Sequence, residues 1–279
     1  MDYAQLQFGH RFYTINLPTC WDDLSAEQFE AVNFHKCTAT DRRQMVFEIL
    51  MVLLPLNRTH LLGLLRFSIQ QKQWLQALNL VSLYLWFDKR YLWKFFTTDD
   101  VLDALPAIDW VFDANPTKHR SAIASFQFKG VTYNGPRTLL SGVIWKQMQL
   151  ADTLADRFAK EKNEELLNHL AAVLYVPAGE MLDTDNDSIP ERVKLFEGLR
   201  IQLKYAIYAN YVLLRDSFYK QFDLPKAELA LEGRPDWERT TLLVAENGSL
   251  GTYSQVETAP ARTVMKYFEM AHDKNRPKK

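Results

Sequence analysis

SIPERVKLFEGLRIQLKYAIYANYVLLRDSF, residues 188–218, decides the fold class. Phe196, Leu199, Leu203, Ile207, Tyr211, Leu214 and Phe218 recur at spacings of three and four. That spacing lines one face of a helix for about six turns at 3.6 residues per turn. Ser188 stands where an N-cap belongs, Pro190 suits a first turn, and Glu191 completes a capping box. The pattern predicts a single long helix starting at Ser188.

Moving upstream, Leu167, Leu170, Val173 and Leu174 carry a helix from Glu164 that Pro177 halts. Before it, Leu140, Ile144, Met148, Ala151, Ala155 and Phe158 predict a helix following Pro136. Phe126, Phe128, Val131 and Tyr133 alternate around Gly130, the pattern of a β-hairpin. Downstream, residues 223–235 read as a linker. A helix from about Asp236 to Glu246 stops at Asn247-Gly248, a turn covers Leu250–Val256, and Pro260 opens a last helix bearing Val264, Tyr267, Phe268 and Ala271.

The N-terminal part repeats this order. Leu6 and Phe8, then Tyr13, Ile15 and Leu17, alternate around Gly9 and predict another hairpin. Ser25-Ala26-Glu27-Gln28 is a capping box that starts a helix, and Asp41 caps the next, which runs to Pro55. Further helices are predicted over 59–67 and from Gln70 to Phe95, with a loop and one helical turn over 97–116. A shift of about 119 residues sets Trp21 on Leu140, Leu24 on Val143, Gln28 on Gln147 and Phe29 on Met148, as two weakly related halves or a coincidence of common patterns would give. The expected fold is therefore mainly α with two small β-hairpins. Its parts are 1–116, hairpin plus helices; 117–222, second hairpin plus long helices; and 223–279, linker plus helical C-terminal module.

Composition bounds the function. Among 279 residues there are 17 Phe, 12 Tyr and 7 Trp, which imply a sizeable core, or a core plus an interface. Lys and Arg nearly balance Asp and Glu, giving a net charge of −1 and no global field toward nucleic acid or anionic lipid. The terminal Lys274–Lys279 run reads as a solvated end, and the rings and cations of Trp86–Lys94 as a helix end with snorkelling lysines. The N-terminal residues lack the charged-then-apolar pattern of a signal peptide, and the apolar stretch Trp74–Phe87 is too short to span a bilayer. With two cysteines, Cys20 and Cys37, the chain suits a reducing, cytoplasmic setting.

Catalytic and metal chemistry find no foothold. No two of the six histidines stand four apart, and His35 beside Cys37 lacks the other ligands of a zinc site. Asp183, Asp185 and Asp187 match the opening of a calcium loop, but Ser188 and Lys194 occupy the places needing Gly and a bidentate Glu. Gly248-Ser249-Leu250-Gly251 is too short for a phosphate loop. Pro235-Asp236 with Glu238 has Thr240 where a nuclease cluster wants Lys. No enzyme activity, cofactor or metal is expected.

Two stretches carry a resemblance. One is Leu166–Pro177; the other is Trp237 through Phe268, notably Trp237, Leu243, Ala245, Gly248, Leu250-Gly251, Val256 and Thr258. With the helix between them they resemble a group of largely uncharacterised proteins from tail-gene modules of Bacteroidetes-type phages and prophages. The last segment is also similar to the small C-terminal module of phage tail assembly chaperones. That resemblance implies a chaperone that holds the tape measure protein soluble in the host cytoplasm until the tail tube assembles. It carries over no catalytic residue. It suggests Trp237, Leu243, Leu250, Tyr253, Val256 and Phe268 as partner-binding residues. Expected partners are the tape measure protein or other tail proteins, with self-association open, and neither nucleic acid nor membrane. The alternative is a structural virion component, a head–tail connector or tail completion protein.

Overall fold

The structure, a computed structural model, describes residues 3–8, 11–16, 18–53, 66, 69–70, 72, 105–112, 121–180, 188–222, 237–246, 248 and 250–275. They form ten helices and two small antiparallel sheets, a mainly helical fold. None of the described helices is long and apolar enough to cross a membrane. The chain divides into two compact units, Met1–Ala114 and Asn115–Lys279.

In the first unit β1 (Tyr3–Phe8) pairs antiparallel with β2 (Arg11–Asn16), from Tyr3↔Asn16 to Phe8↔Arg11. A 3-10 turn, Trp21–Asp23, precedes α1 (Ala26–Thr38), α2 (Arg42–Leu53) and α3 (Leu105–Phe112). The Ser25 hydroxyl accepts the Gln28 amide, and the Gln28 side chain accepts the Ser25 amide, so the predicted capping box forms. Asp41 accepts the Gln44 amide at 3.1 Å and caps α2 as expected. Trp21 packs edge-on against Phe29 and Trp110, while Lys36 lies over its ring and donates to the Val111 carbonyl. α3 is two turns of helix where one turn inside a loop was expected; its apolar Ile108 and Val111 are buried. The helices predicted over 59–67 and 70–95, the Trp86–Lys94 stretch and the remainder of the loop over 97–116 lie almost wholly outside the described residues.

The second unit starts with β3 (Ser125–Phe128) and β4 (Val131–Asn134), joined by Lys129-Gly130 at φ 49° and 81°. Two left-handed residues make the tight turn whose twist matches a hairpin. β5 (Val176–Pro177) adds a third strand on β4 that the sequence did not announce, because Pro177 reads as a helix stop. Phe126, Tyr133, Tyr175 and Phe196 pack their rings together against this sheet. Tyr175 is wholly buried; burial pushes its phenol up, and its hydroxyl donates to the Ile123 carbonyl at 2.6 Å. A Cβ on Gly135 would fall 2.2 Å from the Tyr175 ring, so only glycine lets the chain pass there.

α4 (Trp145–Glu161) starts five residues later than Leu140 would suggest. Leu140 sits instead in the 3-10 turn Thr138–Leu140, where Leu139 and Leu140 both have positive φ. Left-handed Lys162 ends α4, and α5 (Glu165–Leu174) returns against it. The long helix is two: α6 (Ser188–Phe196) and α7 (Ile201–Tyr219). The break falls at Glu197–Arg200, where Lys204 reaches back to the Glu197 carbonyl at 2.9 Å. The apolar spacing runs through the break because Phe196, Leu199 and Leu203 are all buried, whichever helix holds them. Both units thus share the order hairpin, 3-10 turn with a buried apolar residue, then helix.

The C-terminal helices α8 (Trp237–Glu246), α9 (Tyr253–Thr258) and α10 (Ala261–Asn275) belong to this second unit and pack on α4. α9 replaces the expected turn, because Thr252 and Gln255 form a capping box. The linker read over 223–235 and the acidic stretch Asp183–Asp187 lie outside the described residues.

Candidate partner-binding site

α8 is short and two-faced. Trp237, Thr240, Thr241 and Val244, spaced three and four apart, are buried, while Glu238, Arg239, Leu242 and Leu243 face outward. Its inner face reaches α4 through a buried polar cluster. The Trp237 indole donates to Asp152 Oδ2 at 3.0 Å and stacks near Tyr219, with Trp145 edge-on at 5.2 Å. Trp145 Nε1 and Gln149 Nε2 donate to the Thr241 hydroxyl at 2.7 and 2.8 Å, and that hydroxyl donates to the Trp237 carbonyl.

Asp152 is the hub. Tyr211 donates to its Oδ1 at 2.7 Å, Tyr219 donates to its Oδ2, and Arg215 lies 3.6 Å away while also pairing with Asp156 at 3.1 Å. Burial raises the Asp152 carboxyl above the usual carboxylate range, against the opposing pull of Arg215, Tyr219 and Tyr211. Burial and the Asp152 charge together raise both tyrosine phenols. Burial would lower Arg215, but the surrounding charges, Asp152 first, outweigh it, so its guanidinium stays charged. The polar groups that meet at Asp152 are all partnered, which is how such a network becomes rigid. Its arrangement is that of a clasp: donors from α7 and α8 converge on one carboxylate of α4.

α9 and α10 are tied down by backbone. Trp145 N donates to the Ala259 carbonyl at 2.8 Å and Ala261 N to the Val143 carbonyl at 3.0 Å, on either side of the Ile144–Pro260 bridge. Lys146 on α4 stands 3.8 Å from Glu257 on α9. α8 and α9 pack on each other, and burial, then the charges of Glu257 and Glu238, raise the Tyr253 phenol.

The six partner-binding candidates divide accordingly. Val256 is wholly buried, and Phe268 and Trp237 are 7% and 9% exposed; these three build the core and offer a partner no surface. Their apolar character reflects packing on α4. Leu243 and Tyr253 are exposed at 39% and 37%, and Leu250 is half-buried. Leu242, 46% exposed, joins them, although sequence reading passed it over. Asp152 was also missed. Its signal was present: a carboxylate next to Ala151 on the apolar stripe of Met148 and Ala155 must be partnered when the stripe is buried.

Among the described residues no three His, Cys, Asp or Glu side chains come together as metal ligands would. His35 Nδ1 instead meets Glu48 at 2.6 Å, and Cys20 and Cys37 are exposed thiols. No protein-family model, curated protein or solved structure matches the chain.

Proposed function

We propose that this chain is a non-catalytic binding protein of the phage tail assembly chaperone kind, holding the tape measure protein before the tail tube assembles. The observation that carries the reading is the outer face of α8 and α9, which leaves Leu242, Leu243 and Tyr253 exposed on helices fastened from beneath by Trp237. Large apolar side chains on a rigid base suit the helix-in-groove mode of recognition. A tape measure protein is a long amphipathic helix whose apolar stripe needs cover while it waits. The resemblance of Trp237–Phe268 to chaperone C-terminal modules supports the same choice.

The test is co-expression with the tape measure protein of the same tail-gene module, comparing the parent with the double variant Leu242→Asp/Leu243→Asp. We expect the parent to be captured and the variant, still folded by circular dichroism, to lose capture. Equal capture of both would remove this face from the reading. Recovery of the chain in stoichiometric amounts from purified tails would favour the structural virion component instead.

A further inference from the structure

A second site is lined by none of Leu242, Leu243 and Tyr253. The end of β4, the start of α4 and the segment following α5 enclose a cleft of about 410 Å³, closed on one side by Thr258 at the end of α9. That volume is in the range of small-ligand pockets, and this cleft has their usual build of apolar wall with a few polar groups. Val143, Leu174 and Val176 supply branched aliphatic wall, and Arg137, Gln147 and Glu180 supply polar atoms.

The charges arrive on separate arms. β4 runs on past Asn134 to Arg137, while β5, antiparallel to it, ends in a turn in which the Glu180 amide donates to the Pro177 carbonyl at 3.0 Å. Among the described residues Arg137 has no ion-pair partner. Gln147 is buried and held by its donation to the Val173 carbonyl at 2.7 Å, which fixes one wall. Of the residues lining the cleft, Gly142 has positive φ. Gly142 has open space where a Cβ would stand, so a ligand can approach the backbone of the rim.

We propose that this cleft binds a carboxylate bearing a compact aliphatic group and a neighbouring N–H donor. Arg137 takes the carboxylate, Val143, Leu174 and Val176 take the aliphatic group, and Glu180 takes the nitrogen. A free aliphatic amino acid and the last residue of a peptide share this chemistry.

The experiment is calorimetric titration of the full chain with leucine, N-acetyl-leucine and N-acetyl-leucine amide. The expected result is binding of leucine, N-acetyl-leucine or both, no binding of the amide, and weakening by about tenfold or more in Arg137→Gln, the loss of one charge-assisted hydrogen bond. Binding by leucine alone, weakened in Glu180→Gln, identifies the free amino acid; binding by N-acetyl-leucine identifies a chain end. Both variant sites are exposed, so unchanged circular dichroism spectra are expected. Binding of the amide as tight as the acid, full affinity in Arg137→Gln, or silence of all three probes at millimolar concentration would overturn the proposal. None of these outcomes bears on capture of a tape measure protein through α8 and α9.

Discussion

Asp152 concentrates at one residue the tension between burial and pairing. Its carboxylate receives Tyr211, Tyr219 and Trp237 and faces Arg215, yet burial still holds its proton more tightly than water would. A carboxyl raised in the folded state above its ordinary 3.8 binds protons more readily folded than unfolded. Its contribution to stability is therefore fully present below the unfolded value and is lost as pH rises through the folded value. Asp152→Asn removes the titration and keeps one acceptor oxygen. Urea unfolding at pH 7 and again near pH 4 should show the parent gaining stability relative to this variant on acidification. If the parent loses ground instead, Arg215 and the hydroxyls hold the carboxylate ionised and the sign of the shift is the opposite one. Sequence reading selected Trp237 for a partner and missed Asp152, because periodicity ranks residues by apolar spacing and is blind to a polar group sharing the stripe.

Among the elements, the helices were legible wherever caps and spacing agreed, as at Ser25 and Asp41. The boundary between α6 and α7 was not, since a stripe of buried residues continues across Glu197–Arg200 and its spacing carries no mark of the break. β5 was hidden for a related reason: two residues are too few for an alternating pattern. α9 was hidden by length, but its cap was readable in Thr252 and Gln255. The Gln255 side chain accepts the Thr252 amide at 2.8 Å, and a Cβ on Gly251 would collide with that same oxygen. With six residues, α9 has few internal hydrogen bonds and depends on this box. Thr252→Ala should cost about 1 kcal/mol, the usual worth of a lost cap. Hydrogen exchange should show it as faster exchange confined to α9 and the turn before it. Uniform acceleration across α4 and α7 would mean that the cap supports the whole unit.

At the scale of the molecule, the parts drawn from sequence, 117–222 and 223–279, fall in one compact unit, Asn115–Lys279. A run of polar and Pro-containing sequence reads as a boundary, but it does not reveal what packs beyond it. In this unit Trp237, Val256, Val264 and Phe268 complete the core over α4, and removing them would bare Trp145, Gln149 and Asp152. Deleting a buried tryptophan side chain alone typically costs about 3–5 kcal/mol, a large part of a domain's stability. A chain ending at Phe222 should therefore unfold at a much lower temperature than the parent, or without a cooperative transition. Leu242→Asp/Leu243→Asp should melt within a few degrees of the parent, because both side chains already face solvent. Thermal unfolding followed by circular dichroism separates the two cases. If the shortened chain keeps the parent midpoint, α8–α10 are an appendage. The surface face of α8 and α9 would then belong to a free arm, and its rigidity could no longer explain how Leu242, Leu243 and Tyr253 hold a partner.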